Sequence, residues 1–478
     1  MNSSSDKLGL FGLTNLVIGS IIGGGLFDLM RDMAQGAGPG AIMISWIIAS
    51  IGTICLGLTF KNLTMKRPDL NAGMYSYAQA GFGKYMGFNS ALGYWISNLL
   101  GDVGYTALLT STVGFFLPNI FGNGQNWPSV ILASVFLWAT VIPILKGVNL
   151  ASFMNDIITV AKLVPIVLFI IIMIIAFKWN IFTADFWSTP GNKFSLPLIA
   201  TQVSSTLAVI FWCIDGVYSA NVYASSAKKR SDVGKATILG VITVILIYAL
   251  ITLLSFGVMN RSHLAHLNQP AMGQVLKSVV GPWGAIVVNI GLVISLLGAL
   301  LSWQMLTSAL PQIAAENHVF PKFFAKTNQR GVQSNSLIIT SIVTQVFIFS
   351  YLFAKDAYIA SYTIASTGIL IPLMLACLYQ IKYTWEHRVD GRLDQKNLWI
   401  GIISTLFTVY GLISIAPQKI FGVSEILMIP VLFLIGIPMY WYLQKHDNRT
   451  KRICTLRESL VMIIIIGLAV GTIIKIIV

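Results

Sequence analysis

Apolar residues run along this chain in long blocks broken by short polar stretches, and most blocks exceed the ~20 residues that a helix needs to cross a bilayer. Thirteen blocks stand near positions 10–34, 40–60, 85–117, 128–145, 156–177, 197–225, 236–259, 279–314, 336–353, 358–380, 398–416, 424–443 and 459–478. Glycine and proline clusters or charged loops separate them. A membrane barrel would instead show segments of about ten residues with alternating polarity, and blocks such as 166–177 and 460–478 do not alternate. The pattern predicts an all-α membrane protein of twelve or thirteen transmembrane helices; whether the block 459–478 spans stays open.

Two blocks are interrupted at mid-depth. The first carries Ile18-Gly19-Ser20-Ile21-Ile22-Gly23-Gly24-Gly25-Leu26-Phe27. Three consecutive glycines weaken a helix by about 1 kcal/mol each relative to alanine. Backbone bared at that depth is tolerated only where it lines a cavity or is buried in protein. Close packing of helices through small residues explains an isolated glycine; a contiguous triplet points to an unwound segment. The sixth block carries Phe211-Trp212-Cys213-Ile214-Asp215-Gly216-Val217-Tyr218, an aspartate followed by glycine at mid-span. Aspartate at a helix centre costs about 2.5–3.5 kcal/mol on insertion scales and usually faces a pathway or a partner.

The first and sixth blocks are corresponding members of two five-helix halves, 9–195 and 196–382, where an inverted-repeat transporter places its broken helices. A polar segment, 1–8, precedes the halves, and 383–478 adds helices eleven to thirteen. Each break offers a half-helix N-terminus for a carboxylate and carbonyls for a cation.

Composition sharpens this picture. The 478 residues are 56% hydrophobic and 10% charged, with a mean hydropathy of +0.78, against roughly 25% charged residues in a soluble protein. A net charge of +14 could suggest nucleic acid, but its distribution does not. With residue 1 in the cytoplasm, only Arg31, Lys178, Lys193, Arg261, Lys277, Lys355, Lys419 and Lys475 fall outside, and Lys162 lies within a block. The remaining lysines and arginines face inward, as the positive-inside rule requires of a cell-membrane protein. The basic balance thus reports topology, with at most weak affinity for anionic lipid, and excludes nucleic acid as a partner. An odd number of spans leaves the C-terminus outside. Residues 1–8 show no cleavable signal pattern before the first block. Cys55, Cys213, Cys377 and Cys454 have neither paired nor metal-type spacing and read as small buried hydrophobes. No metal and no cofactor is expected.

Three acidic residues lie inside or at the edge of apolar blocks: Asp102, Asp156 and Asp215. Asp156 opens a block and reads as a helix cap or interfacial charge. Asp102 lies in Ser97-Asn98-Leu99-Leu100-Gly101-Asp102-Val103-Gly104-Tyr105, where positions 98, 102 and 105 share a helical face. That face offers an amide, a carboxylate and a phenol, a wall suited to an amine. Lys162 is the basic residue deep in a block. A buried ammonium needs partners or must shed its proton, and both a tie to backbone carbonyls and a titrating cation remain open. Trp212 and Trp303 stand beside polar or flexible residues; each is either core filler or a cation–π partner for an amine.

The stretch Gly19-Ser20-Ile21-Ile22-Gly23-Gly24-Gly25-Leu26-Phe27 resembles the first-helix signature of the amino acid–polyamine–organocation superfamily. Ala72-Gly73-Met74-Tyr75-Ser76-Tyr77-Ala78, followed by Gly81-Phe82-Gly83, resembles its second-to-third-span loop. Ala315-Glu316-Asn317-His318-Val319-Phe320-Pro321 with Phe324-Ala325 resembles the loop after its eighth span. The likeness covers nearly the whole chain and is strongest to the basic amino acid/polyamine antiporters, particularly arginine/ornithine and amino acid/amine exchangers. It implies the five-plus-five inverted repeat, with discontinuous helices one and six. It also implies that Gly23, Gly24 and Gly25, with Ile21 beside them, take the substrate's carboxylate. Trp212 and Trp303 fall where arginine/agmatine antiporters have sixth- and eighth-helix tryptophans, and Ser97 and Asn98 fall at third-helix pocket positions. Lys162 matches a fifth-helix lysine that takes the place of sodium in sodium-independent relatives, which implies exchange or proton coupling. Three positions depart from the pattern. Asp102 replaces an asparagine, Asp215 an apolar residue, and Tyr218 a glutamate gate. Two added carboxylates favour a strongly cationic substrate. Asp28, Arg31 and Asp32 follow the first break, as part of an outer vestibule or as a solvated end.

The expected function is exchange of an external amino acid for its cationic metabolic product by alternating access, with Ile21, the three glycines, Ser97, Asn98, Asp102, Tyr105, Trp212, Asp215 and Trp303 around the substrate. A proton-coupled permease, with Asp215 or Lys162 titrating, and a sensor that binds without turnover are the alternatives. A membrane enzyme is not expected. HExxH and GxSxG motifs are absent, and His263, His266, His318, His387 and His446 map to loops or block ends. Arginine, ornithine, agmatine, histidine, tyrosine and lysine, with their amine products, all fit, and a homodimer is an open assembly state. Asp215→Asn should weaken amine binding selectively, read as a smaller ligand-induced rise in melting temperature. Unchanged affinity for every amine tested would remove Asp215 from the site.

Overall fold

The computed structural model describes residues 9–70, 73–122, 124–147, 163–214, 216–217, 228–353, 357–388, 392–415, 419–420, 423–448 and 454–477. Every apolar block contains helix, and among the described residues ten helices are long and apolar enough to cross a membrane. The protein is a multi-pass membrane protein. Its first helix, α1 (Leu10–Ile21), stops where the glycines begin. A single tight turn of 3-10 helix follows over Gly24–Phe27, and helix resumes as α2 (Leu29–Gly36). Next come α3 (Pro39–Lys66), with proline in its first turn and Lys66 in its last, complementing the helix dipole, and the short α4 (Met74–Phe82). The segment resembling a loop between the second and third spans therefore contains a helix of its own.

The helix α5 (Lys84–Phe116) is the centre of the bundle, with 78% of its most apolar window buried. At 33 residues it is about 50 Å long and overshoots the ~30 Å hydrocarbon layer. Against it packs α6 (Trp127–Lys146), and α7 (Leu163–Ala176), α8 (Leu196–Cys213) and α9 (Arg230–Phe256) follow along the chain. The short α10 (Ala271–Val280) leads into α11 (Pro282–Glu316), which packs along α5. The helices α12 (Ser334–Ile348), α13 (Ala357–Glu386) and α14 (Gln395–Ile415) follow. A two-residue hairpin then pairs Lys419–Ile420 with Val423–Ser424, a detail the apolar pattern does not signal. The block 424–443 is carried by α15 (Met428–Leu434) and α16 (Gly436–Tyr442). The last helix, α17 (Leu456–Ile477), lies at the rim with only 11% of its window buried.

Small hydroxyl and amide groups join the spans where apolar burial cannot distinguish neighbour from lipid. Ser45 Oγ and Thr206 Oγ1 lie 2.6 Å apart between α3 and α8. Trp46 Nε1 donates to Thr252 Oγ1 of α9 at 2.9 Å, and Asn62 Nδ2 to Gln380 Oε1 of α13 at 2.8 Å.

Two joints repeat. Each of α4 and α10 ends at a glycine that starts a helix of more than thirty residues: Gly83 at φ +97°, ψ 174° before α5, and Gly281 at φ +88°, ψ −172° before α11. That corner of backbone space is essentially closed to residues with a Cβ and costs about 1–3 kcal/mol when forced. Around both positions the space for a side chain is open. Gly83→Ala and Gly281→Ala should therefore each lower stability by about 1–3 kcal/mol through backbone strain alone. A melting temperature in detergent equal to that of the parent protein would count against this.

Candidate substrate cavity

The first break has a defined route for its bared backbone. Ile22 is extended at φ −72°, ψ 91°, and its N–H closes the last turn of α1 on Ile18 O. The Ile21 carbonyl accepts the Tyr248 hydroxyl of α9 at 2.8 Å. The turn Gly24–Phe27 then starts a new helical stretch, whose first N–H groups have no partner within it. The second break begins where α8 stops at Cys213; Ile214 leaves helical geometry and Gly216 takes φ +96°. A Cβ on Gly216 would sit 3.0 Å from Ser20 O, and Ser20 Oγ donates to Gly216 O at 3.4 Å. The two interruptions thus touch.

Between them lies a cavity of about 20 Å³. Ile21, Gly23 and Gly25 contribute from the first break, and Trp212 and Cys213 from the last turn of α8. Ser97, Asn98, Gly101 and Tyr105 line it from α5, Tyr248 from α9 and Trp303 from α11. Its volume holds about one water, so an amino acid needs these walls to part.

The walls are aromatic and close-fitting. The Trp212 ring lies 6.2 Å from Tyr105 and stacks on Tyr362 of α13 at 5.7 Å and 24°. One glycine gives the indole its room. A Cβ on Gly25 would sit 2.9 Å from Trp212 Nε1, whereas one on Gly101 would make an ordinary contact 3.4 Å from its ring. On Gly23 a Cβ would collide with the Tyr105 hydroxyl. Ser97 Oγ donates to Ala365 O at 2.7 Å and so anchors α5 to α13. Asn98 is buried, and neither its Oδ1 nor its Nδ2 has a partner among the described residues. Its amide is the free polar group on this wall.

Of the residues singled out from sequence, Ile21, Gly23, Gly25, Ser97, Asn98, Tyr105, Trp212 and Trp303 meet at this one cavity. Gly24 does not. A side chain there would run into Leu296 and Leu108, so this glycine serves close packing. Asp102 does not line the cavity either. It is fully buried, with its carboxylate turned to Thr307 of α11. The reason is angular: at about 100° per residue, positions 97, 101, 105 and 98 fan across one sector, and 102 falls ~40° beyond its edge. Asp215, Lys162, Asp156 and Tyr218 lie outside the described residues. Asp28, Arg31 and Asp32 are buried and form no solvated end; Asp28 Oδ1 accepts the Ala271 N–H at the start of α10, at 2.8 Å. Gly101, Tyr248 and Tyr362 carry no expectation from sequence, and Cys213, expected as a small buried hydrophobe, also faces the cavity. The sequence marks Gly101 and Cys213 only by their place beside candidates, and nothing distinguishes the two tyrosines.

Cys213 makes the cavity testable. In a Cys55→Ala/Cys377→Ala/Cys454→Ala background, a thiol-specific methanethiosulfonate should label Cys213. Substrate at ~10 times its dissociation constant should slow labelling about tenfold, by mass action. Labelling at the same rate with and without substrate would place the substrate elsewhere.

Comparison with known proteins agrees with this architecture. An arginine/ornithine antiporter of Pseudomonas aeruginosa is 42% identical over 458 residues, 92% of this chain and 94% of that protein. One of Latilactobacillus sakei is 36% identical over 465 residues, 97% and 96% of the two chains. An arginine/agmatine antiporter of Chlamydia trachomatis serovar D is 35% identical over 463 residues, 97% and 95%. Residues 8–443 match the amino acid permease family, and the chain belongs to it.

Proposed function

We propose that this chain exchanges an external amino acid for a cationic metabolic product across the cell membrane by alternating access. The observation that carries this reading is the cavity itself: backbone of a broken helix, a free amide and four aromatic rings gathered on one point between two interrupted spans. Backbone N–H groups at Gly23 and Gly25, which line the cavity, suit a carboxylate. The rings of Trp212, Trp303 and Tyr105 suit an ammonium or guanidinium, and Asn98 can bond either. Asp215 adds a charge for the amine end, and Lys162 a fixed cation in place of sodium. Relatives that exchange arginine for ornithine or for agmatine support a substrate pair of this kind.

The rest of the assignment follows the same logic. Residues 9–195 and 196–382 form the two inverted halves, supported by the matching joints at Gly83 and Gly281. The N-terminus is cytoplasmic, supported by the inward bias of lysine and arginine. Helices after residue 382 stand outside the halves, where a second copy of the chain could pair with them.

Counterflow in proteoliposomes tests the exchange. Labelled arginine should accumulate in vesicles loaded with unlabelled arginine, ornithine or agmatine, and hardly at all in empty ones. Equal uptake into both would support a permease, and no saturable flux with intact binding a sensor. Trp303→Ala should weaken binding of the charged end by about 1–2 kcal/mol if the ring meets a desolvated cation. A dissociation constant equal to that of the parent protein would exclude that contact.

A further inference from the structure

The segments 72–83 and 315–325 take no part in the central cavity, and the fold brings them together around a second one. This cavity measures about 390 Å³, within the ~300–1,000 Å³ of small-molecule sites. Gln79 borders it from α4, Lys84 and Phe88 from the start of α5, and His318 and Val319 from just past the end of α11. Tyr440 of α16 and the wide turn Leu443–Asp447 close it. It lies at the end of the bundle where Lys382 holds Gly81 O at 2.8 Å, the cytoplasmic end by the inward bias of lysine and arginine. Among the described residues, none from either interrupted span lines it, so it is separate from the central cavity.

Its floor is apolar. Phe88, Val319 and Leu443 are buried, and the Phe88 and Tyr440 rings meet at 5.1 Å and 60°. The Tyr440 hydroxyl is committed to Glu458 at 3.2 Å. The rim carries both signs of charge. Lys84 is exposed, and its ammonium has no hydrogen bond or ion pair among the described residues. Asp447 accepts the Lys322 N–H through Oδ2 at 2.8 Å, and its Oδ1 has no partner among the described residues. His318 adds an imidazole, also without a partner among them, at a backbone position that favours glycine. The end of α11 is a Schellman turn: Val319 N–H donates to Ala314 O at 2.8 Å and His318 N–H to Ala315 O at 3.1 Å, with His318 at φ +58°. Glycine ordinarily takes that left-handed place. A histidine there keeps a side chain at the cavity against the preference of the backbone.

An unpaired ammonium, a carboxylate with one oxygen to offer and an apolar floor match the two charged ends and the body of one kind of small molecule. We propose that this cytoplasmic cavity binds a free α-amino acid with an apolar side chain and that the bound amino acid slows exchange. The ligand's carboxylate meets Lys84 and His318, its ammonium meets Asp447, and its side chain lies on Phe88 and Tyr440. Both polar ends then make charge-assisted bonds, and a ligand with one charge leaves half the rim unmatched. The binding stands on this cavity alone, whereas its effect on exchange rests on the reading of the central cavity as the transport site. The two cavities share their helices: α5 carries Asn98 to one and Phe88 to the other, and α11 runs from Trp303 to the turn at His318. The cytoplasmic cavity has its 390 Å³ in the arrangement that shuts the central one to about 20 Å³. An occupant of it as it stands favours the shut arrangement, and occupant and substrate weaken each other's binding by the same factor.

Site-directed labelling decides the binding. With Cys55, Cys213, Cys377 and Cys454 changed to alanine, Gln79→Cys supplies one thiol at the cavity for a methanethiosulfonate. Phenylalanine or leucine at ~10 times the concentration that halves labelling should slow it about tenfold. Phenethylamine and 3-phenylpropanoate, each lacking one charged end, should slow it less than about twofold at that concentration. Protection by 3-phenylpropanoate equal to that by phenylalanine overturns the zwitterion, and no protection by either amino acid overturns the site. In the same background Lys84→Gln and His318→Gly should each raise the half-protecting phenylalanine concentration about tenfold. The glycine suits φ +58°, so His318→Gly folds whatever becomes of Lys84→Gln, and an unmoved midpoint in His318→Gly overturns the site. In proteoliposomes, phenylalanine on both sides should slow labelled arginine counterflow by the parent protein, and His318→Gly should need about tenfold more for the same slowing. Protection of the thiol with unslowed counterflow overturns the regulatory role. Absence of all counterflow sinks the exchange reading instead, while the labelling still decides the binding.

Discussion

A chain that leaves the helix inside a membrane bares amide and carbonyl groups that lipid cannot satisfy, and every such group must find a partner in the protein. The first break meets this demand with groups drawn from far along the sequence. The Ile21 carbonyl is held by a tyrosine 227 positions away. Ser20 reaches the second break at Gly216, and the carboxylate of Asp28 takes the first N–H of α10. The interruption is therefore possible only once α8, α9 and α10 are in place around it. Local sequence weakens the helix at Gly23, Gly24 and Gly25, but the bundle makes the weakness habitable.

The same requirement places the cavity. Groups that cannot be satisfied within a helix must face either a partner or a space for one, and here the break that bares them lines the cavity beside Trp212. That ring is positioned in part by what is missing beside it: a side chain at Gly25 would stand in its way. Stacking on Tyr362 then ties the indole to α13. Backbone, aromatic wall and free amide thus converge from the first break and four helices, α5, α8, α9 and α11, with no single element dictating the site.

How much of this the sequence discloses follows from the range of each interaction. The spans are legible because burial in lipid is a one-dimensional property of a segment, and all thirteen blocks contain helix. The first break is legible because three adjacent glycines are a local signal. Ser97, Trp212 and Trp303 are legible through family resemblance, Tyr105 through helical spacing and Asn98 through both. Periodicity alone came close on α5 and then erred by a fraction of a turn, putting Asp102 on the wall when it looks toward α11. Tyr248 and Tyr362 could not be read at all, since a tyrosine that caps a distant carbonyl and one that merely fills space are identical on paper. The short helices α4 and α10 escaped notice because the signal that sets them off is a φ angle.

The glycine against the Trp212 ring also bears on how this protein can change its cargo over generations. Any side chain at Gly25 shifts the indole and with it the aromatic wall, so that position offers almost no route to a new preference. Asn98 and Cys213 are different. They face the cavity without carrying the weight of its architecture, and substitution there can alter which groups are recognised while leaving the broken helix and its ring where they stand. A lineage of such exchangers would be expected to diverge in cargo at these side chains and to keep its glycines.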